Sequence, residues 1–296
     1  VAGRGVGHDP HARWRQEQFV KIWMNGELRG ADEARVSVFD HGFTVADGVF
    51  ETLKIQDGSA FAVRRHLERL GRSAQGMGLP APDLEEIRNG IDEVLAANRA
   101  EIPDLGRLRV TYTAGSGPLG SDRSPGGSGP TAVVAATPMT AWPESAAVIT
   151  VAWPRNERSP LAGVKSTSYA ENVIALAEAR RQGASEALMA DTQGRLCEGT
   201  GSNVLVVMGN RIITPTLGTG ALPGITRSLV IEWCGVEEMD LPWESLGDAD
   251  ALMLTSSTRD VQPVHRIDER DLSPLPQIAR DCVTEFRRRA SLDIDP

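Results

Sequence analysis

Short β-prone runs closed by tight turns recur in two separate parts of this chain, and that punctuation limits the folds open to it. Phe19 to Met24 is apolar and β-prone and runs straight into Asn25-Gly26, the strongest short hairpin signal. Arg35 to Phe39 alternates like a half-buried strand, Val49 to Ile55 predicts another, and the turn Asp57-Gly58 leads into Ala60 to Val63. Far downstream, Glu186 to Ala190, Arg195 to Cys197, Val204 to Met208 and Arg211 to Thr214 are separated by turns at Asp191 to Gly194 and Gly209-Asn210. This second meander predicts an antiparallel sheet rather than alternating βαβ units. A chain of 296 residues is long for one compact domain and natural for two of roughly 100 to 200 each.

Helical periodicity fills the space between. Leu67, Leu70, Ala74 and Met77 recur at three- and four-residue intervals, and Gly76 and Gly78 can end that helix. Arg65, Glu68, Arg69 and Arg72 fall off the apolar stripe, so pattern alone reads them as a solvated face. A second helix spans Asp83 to Asn98, with an N-terminal cap after Pro82. Strands follow at Arg107 to Ala114 and Thr131 to Thr137. Between them, Gly115-Ser116-Gly117-Pro118-Leu119-Gly120 formally matches a dinucleotide-binding pattern. That match is rejected, because Pro125, Gly126, Gly127, Gly129 and Pro130 forbid the helix whose N-terminus must hold the pyrophosphate. The 115–130 stretch reads as a mobile loop of a length often used as a lid, its role left open.

The expected organisation is a disordered extension over 1–17, a small α/β domain over 18–138, a linker over 139–146 containing Trp142-Pro143, and a large cofactor-binding domain over 147–296. The extension lacks the apolar core of a signal peptide. A net charge of −9 repels nucleic acid and anionic membrane surfaces in general. No apolar run reaches the roughly 18 to 20 residues that span a bilayer. Cys197, Cys234 and Cys282 are odd in number, widely spaced and far from any His cluster, which fits a reduced cytoplasmic protein and argues against a metal site.

The chemistry concentrates between Leu161 and Arg227. Lys165 sits in Gly163-Val164-Lys165-Ser166-Thr167-Ser168-Tyr169, just before a helix-forming run from Glu171 that Gly183 stops at a C′ position. Its segment has no adjacent carboxylate to hold it as an ion pair, and a desolvated lysine of lowered pKa can attack an aldehyde. Glu198, flanked by glycine, can lie against a pyridine nitrogen and keep it protonated, which makes the ring an electron sink. Leu222-Pro223-Gly224-Ile225-Thr226-Arg227 reads as a loop entering a helix, with the amides of Ile225 and Thr226 free to meet an anion such as phosphate. Lysine, carboxylate and anion site together point to pyridoxal 5′-phosphate.

These motifs resemble the fold-type IV pyridoxal-phosphate enzymes: branched-chain aminotransferases, D-amino-acid aminotransferases and 4-amino-4-deoxychorismate lyases. The resemblance rests on Gly-Val-Lys165-Ser, Glu198-Gly-x-Gly-Ser-Asn203 and Leu-Pro-Gly-Ile-Thr-Arg227, and runs from about Phe19 to the C-terminus. It implies an α/β (α+β) fold of two domains with the cofactor between them, and a homodimer in which a loop of one subunit helps close the other's site. It makes Lys165 the Schiff-base lysine and proton shuttle, with Glu198 on the pyridine nitrogen. His66-Leu67-Glu68-Arg69-Leu70 resembles the segment whose arginine grips the cofactor phosphate, so Arg69 leaves the solvated face. Ile225 and Thr226 match the amides on that phosphate, and Ser257 matches a hydroxyl donor to it.

The family divides over the reaction, a lyase releasing pyruvate and p-aminobenzoate or an aminotransferase. Ala46-Asp47-Gly48-Val49-Phe50-Glu51-Thr52 is similar to the Gly-Asp-Gly-x-Phe-x-Thr of the lyases, and Leu161-Ala162-Gly163-Val164-Lys165 resembles their approach to the lysine. Branched-chain aminotransferases usually carry glycine at Thr52 and tyrosine at Val45. D-amino-acid aminotransferases, and often bacterial lyases, carry arginine at Ala114; some lyases carry it at Tyr169. The expected activity is therefore aminodeoxychorismate lyase, with amino transfer from a branched-chain or other amino acid to 2-oxoglutarate as the alternative. A non-catalytic cofactor- or phosphate-binding protein is a remote third, since it needs neither Lys165 nor Glu198. Arg109, Tyr169, Thr52 and Arg259 are candidates to meet a small-molecule substrate, with Arg107 a further candidate for its carboxylate.

Overall fold

The computed structural model describes residues 20–123, 127–272 and 274–296. The expected extension over 1–17, with Pro125 and Gly126 of the glycine-rich loop, lies outside the described residues.

Among the described residues, β1 (Lys21–Met24), β2 (Glu27–Gly30), β3 (Gly48–Gln56), β4 (Ser59–Ala60), β5 (Leu105–Thr113) and β6 (Thr131–Pro138) form one sheet, ordered β2-β1-β6-β5-β3-β4 with every neighbour antiparallel. Asn25 and Gly26 take φ of 47° and 90°, the left-handed pair that a two-residue hairpin needs. Phe50 lies opposite Thr111 and Thr52 opposite Arg109, so these side chains share one face. Val49, Leu53, Leu108, Val110 and Tyr112 face the other way and are covered by α2 (Val63–Gly76) and α3 (Leu84–Ala97) through Leu67, Leu70, Ile87 and Ile91. Asp83 caps α3, its carboxylate accepting from the amides of Glu85 and Glu86. The short α1 (His41–Thr44) precedes β3.

The second sheet contains β7 (Ala146–Thr150), β8 (Glu186–Ala190), β9 (Leu196–Gly199), β10 (Asn203–Met208), β11 (Arg211–Thr214), β12 (Glu237–Glu238), β13 (Ala251–Ser256) and β14 (Asp260–Ile267), ordered β12-β11-β10-β13-β14-β7-β8-β9, with β15 (Arg270–Asp271) beside β14. The sheet curls, and Gly199 at the end of β9 donates to the Ser202 carbonyl just before β10. The helices α5 (Ile225–Cys234) and α7 (Gln277–Ala290) bury Leu229, Val230, Cys282 and Phe286 against Leu205, Val207 and Met253. Small residues let α4 (Ala170–Arg181) lie close on β8, with Ala175 and Ala179 against Ala187. The remaining helix, α6 (Ser245–Asp248), packs Leu246 among Leu241, Val204 and Leu252.

Three expectations need correction. The second sheet is mixed: β7 pairs parallel with both β14 and β8, with α4 as the crossover between β7 and β8, and β11 pairs parallel with β12 across α5, so two βαβ units are present. Turn signals mark hairpins but carry no trace of a parallel partner that precedes a helix. Arg35 to Phe39 forms no strand; Val36, Val38 and Phe39 are exposed, since no strand of the described chain lies beside them. Ala60 to Val63 is strand only at Ser59–Ala60, because Ala62 at φ 56° turns the backbone into α2. That helix start has no side-chain cap of its own. The C-terminal residues supply one: Ala62 N donates to Ile294 O at 2.7 Å and Arg64 N to the Asp295 carboxylate at 2.8 Å. Among the described residues no helix is long and apolar enough to cross a membrane, and no group of His, Cys, Asp and Glu is arranged to hold a metal ion.

Candidate active site

The two sheets enclose a cavity of about 860 Å³ that brings all ten candidate residues together. Thr52, Arg69 and Arg109 enter from the first sheet and α2. Glu198, Ile225, Thr226, Ser257 and Arg259 enter from the second sheet and its connections, and Lys165 and Tyr169 lie on the loop leading into α4.

Lys165 precedes α4 in sequence but is held by the first sheet. Its carbonyl accepts from Phe50 N at 3.0 Å, its amide donates to Ser73 Oγ at 3.2 Å, and Ser166 bridges to Val49. Backbone bonds on both sides of the residue fix where its side chain starts. The Nζ atom lies 4.5 Å from the centre of the Phe50 ring, with no carboxylate at ion-pair distance among the described residues. Burial, reinforced by the positive charge of Arg69, lowers its pKa to about 8, so a useful fraction is free amine near neutral pH.

Glu198 ends β9, buried. Its Oε2 accepts from Leu222 N at 2.9 Å and Asn203 Nδ2 at 3.4 Å, and Oε1 lies 3.3 Å from Arg155 Nη2. Burial raises its pKa, with the charge of Arg155 and the Leu222 amide opposing. Asn203 also donates to the Leu222 carbonyl at 2.9 Å, pinning the loop that runs into α5. That loop comes so close that a Cβ on Gly224 would stand 2.0 Å from Asn203 Oδ1. With glycine at the N-cap, no side chain occupies the amides of Ile225 and Thr226.

Arg69, from α2, spans the two sheets at this end. It donates through Nε and Nη2 to Glu51 at 2.8 and 2.7 Å and through Nη1 to the Pro223 carbonyl at 2.9 Å, leaving one N–H on each terminal nitrogen. Ser257 Oγ lies 3.2 Å from His66 Nε2. Free helix amides, a hydroxyl and a guanidinium form the donor set of a phosphate site.

The rest of the cavity is cationic. Arg109 lies 3.8 Å over the Phe50 ring and donates through Nε to Thr111 Oγ1, with no carboxylate partner at ion-pair distance among the described residues. Burial lowers its pKa. Arg259 stacks on Trp142 at 3.7 Å and is committed to Gln262 Oε1 (2.6 Å) and the Ser185 carbonyl (2.8 Å). Arg107 sits near the Met139 sulfur. Tyr169 meets the edge of Phe50 at 5.2 Å, and burial beside Glu198 raises its pKa to about 12.

Sequence reasoning did not single out Phe50, the ring shared by Lys165 and Arg109, nor Arg155 on Glu198. Trp142 was visible only as part of a linker. Glu186 was read only as the start of a strand, yet its buried carboxylate accepts from Thr200 N at 2.8 Å and Ser202 Oγ at 2.8 Å and holds the turn after Glu198. Alternation along β3 could have flagged Glu51, a charge on the face that carries Val49 and Leu53. A pyridoxal-phosphate group fits what is present: an amine without an ion pair, a buried carboxylate for a ring nitrogen, and an anion cradle. Two buried polar atoms of cavity-lining residues, Arg155 Nε and Thr255 Oγ1, also lack partners among the described residues.

Comparison with known proteins agrees. The family model described as amino-transferase class IV matches residues 48–267. The chain is 35% identical to a putative branched-chain-amino-acid aminotransferase of Methanocaldococcus jannaschii, over 85% of this chain and 89% of that protein. It is 31% identical to a bifunctional aminodeoxychorismate lyase / D-amino acid transaminase of Mycobacterium tuberculosis, over 88% and 96%. Among solved structures, a branched-chain aminotransferase of Thermoproteus uzoniensis with norvaline superposes with a TM-score of 0.84 at 29% identity, covering 91% of this chain and 94% of that one. A PLP-bound hypothetical aminotransferase from Mycobacterium tuberculosis gives 0.82 at 30% identity, covering 94% and 100%. With an amine, a carboxylate and an anion cradle in one cavity of this fold, the chain belongs to the class IV aminotransferases, pyridoxal-phosphate-dependent enzymes of fold type IV.

Proposed function

We propose that this enzyme transfers the amino group between an amino acid and a 2-oxo acid, 2-oxoglutarate being the acceptor to test first. One observation carries the reading: Lys165 Nζ and the Arg109 guanidinium lie 4.5 and 3.8 Å from the same Phe50 ring, an amine beside a cavity-lining cation that has no acid at ion-pair distance among the described residues. A substrate carboxylate would supply that acid. The relatives support amino transfer over the lyase activity that the Val45 to Thr52 and Leu161 to Lys165 segments suggested.

In this reading Arg69, the Ile225 and Thr226 amides and Ser257 hold the cofactor phosphate, Glu198 faces the ring nitrogen, and Thr52, Tyr169 and Arg259 shape the substrate end. The cofactor supplies an aldehyde for the amino group and a ring that withdraws electrons from the substrate Cα. Lys165 would hold the cofactor and, as a free amine, would accept the substrate Cα proton, which its lowered pKa favours. Arg109 would orient the substrate, and Glu198, held by Arg155, would face the ring nitrogen and favour its protonated form.

The same reading assigns 18–138 and 147–296 as the two domains, with 139–146 as linker. It also assigns a cytoplasmic location and a homodimer, the latter supported by the exposed apolar side chains Val36, Val38, Phe39 and Phe43, close in sequence, which a second copy can cover. Light scattering that gives a monomer at micromolar concentration counts against the dimer. The lyase is kept as a second reading because the Mycobacterium tuberculosis relative carries both activities in its name. The deciding experiment supplies aminodeoxychorismate and measures p-aminobenzoate, while L- and D-amino acids are tested with 2-oxoglutarate. Amino transfer alone supports the proposal; p-aminobenzoate alone overturns it.

A further inference from the structure

Glu51 and His66 are fully buried and neither is needed as a direct contact in the roles above. Glu51 lies on the helix-covered face of the first sheet, where a charge needs partners, and its Oε2 meets His66 Nδ1 at 2.6 Å and Arg69 Nη2 at 2.7 Å. From His66 the chain of contacts crosses to the second sheet, with Nε2 3.2 Å from Ser257 Oγ on the turn between β13 and β14. The result is a carboxylate–imidazole–hydroxyl line ending at the cradle.

The carboxylate constrains the ring. Arg69 and His66 hold the Glu51 pKa down to about 2, against the opposing effect of its burial, so it is ionised at any working pH. An ionised carboxylate against Nδ1 requires an Nδ1–H. The state of Nε2 then decides what Ser257 can do. In the neutral ring Nε2 is a bare acceptor, so the serine hydroxyl donates to it and offers only lone pairs to the cradle. In the imidazolium, Nε2–H donates to Ser257 and the serine proton is released to an anion. Burial lowers the His66 pKa, with the positive charges of Arg69 on α2 and Lys165 on the loop before α4 adding to it and Glu51 on β3 opposing. A doubly charged phosphate in the cradle adds charge of the opposite sign, which favours the imidazolium.

We propose that His66 takes up a proton from solvent when a phosphate group enters the cradle, switching Ser257 from donating to the ring to donating to the anion. The inference rests on the phosphate-site reading of Arg69, Ser257 and the start of α5. His66 is a positioning residue here, acting through Ser257.

Calorimetric titration of the apoenzyme at pH 8, in buffers of different ionisation heat, counts the protons taken up. Pyridoxal carries the same aldehyde as pyridoxal 5′-phosphate without the phosphate, and its closure to an internal hemiacetal moves no net proton, so the difference in proton uptake isolates the phosphate. The wild type is expected to take up about one more proton with the phosphorylated form, whose ester is already a dianion at that pH. His66→Gln should abolish the excess and weaken the phosphorylated form by about tenfold or more, the worth of a charge-assisted hydrogen bond, while leaving pyridoxal unchanged. Equal uptake for both compounds in the wild type, or an excess that survives His66→Gln, overturns the proposal. Should that variant not fold, the imidazole ¹⁵N shifts of wild-type His66 read the same event: Nε2 must move from the bare to the protonated range when the cofactor is added, and no movement refutes it. Arg69→Gln separates the two readings. If it discriminates against the phosphorylated compound and no excess proton is seen, only the switch fails; if it leaves both affinities alone, the phosphate site fails too.

Discussion

Replacing Gly224 by alanine tests the cradle at its tightest point. The backbone there, φ −64° and ψ 139°, suits any residue, so alanine meets no conformational strain and even gains about 0.4–1 kcal/mol from a stiffer unfolded chain. The space forbids it: the new Cβ would stand 2.0 Å from Asn203 Oδ1 and 3.2 Å from both Asn203 Cγ and Arg227 Cβ. Relief requires a shift of about an ångström or more, since carbon and oxygen seldom approach closer than roughly 3 Å. Asn203 cannot simply rotate, because its Nδ2 bonds to the Leu222 carbonyl and to Glu198. Overpacking of this kind costs about 1–3 kcal/mol. Less the unfolded-state gain, the variant should lose about 1–2 kcal/mol, shared between stability and the placement of the Ile225 and Thr226 amides. Cofactor titration of the apoenzyme, followed by absorbance, should show affinity weakened by about two- to fivefold, with Tm lowered by about 1–4 °C. In the Asn203→Ala background the same change should cost little more, because the clashing atom is gone. A Gly224→Ala protein that binds cofactor as the wild type does and melts no lower would refute the steric argument.

Attachment of cofactor to the apoenzyme should quicken about tenfold per pH unit below pH 8 and level off above it, because the folded state lowers the Lys165 pKa to about 8 and only the free amine attacks; stopped-flow absorbance checks this. Arg109→Gln should raise KM for the amino acid or 2-oxo acid by about 10- to 100-fold through loss of a charged hydrogen bond, yet leave cofactor affinity unchanged; steady-state kinetics beside cofactor titration separates the two. Asp295→Ala removes the remote cap of α2 and should destabilise the protein by about 1 kcal/mol, while Asp295→Asn restores most of it; denaturant midpoints decide.

Local signals carried much of the fold. Asn25-Gly26 set the first hairpin, the spacing of Leu67, Leu70 and Ala74 marked α2, and Asp83 marked the start of α3, because turns and caps are satisfied by residues a few positions apart. The family motifs named the cofactor and, among the residues that line the cavity, Arg69, Lys165, Glu198, Ile225, Thr226 and Ser257. β13, β14 and α7 were not placed, although Ser257, on the turn between β13 and β14, was singled out. Arg35 to Phe39 alternates as a strand does, but a strand needs a neighbour, and the described chain provides none.

What the sequence by itself determined is therefore the local chemistry: a lysine free of nearby acids, a carboxylate flanked by glycine, and helix amides left uncapped by glycine. Only the tertiary structure decided their use. Lys165 is positioned by Phe50 and Ser73, Arg69 is drawn into the interior by Glu51, and α2 is capped by Asp295 from the far end of the chain. Each of these depends on a hydrogen bond between residues distant in sequence, where periodicity has no reach, and on burial, which turns an ordinary charge into one that must find its partner.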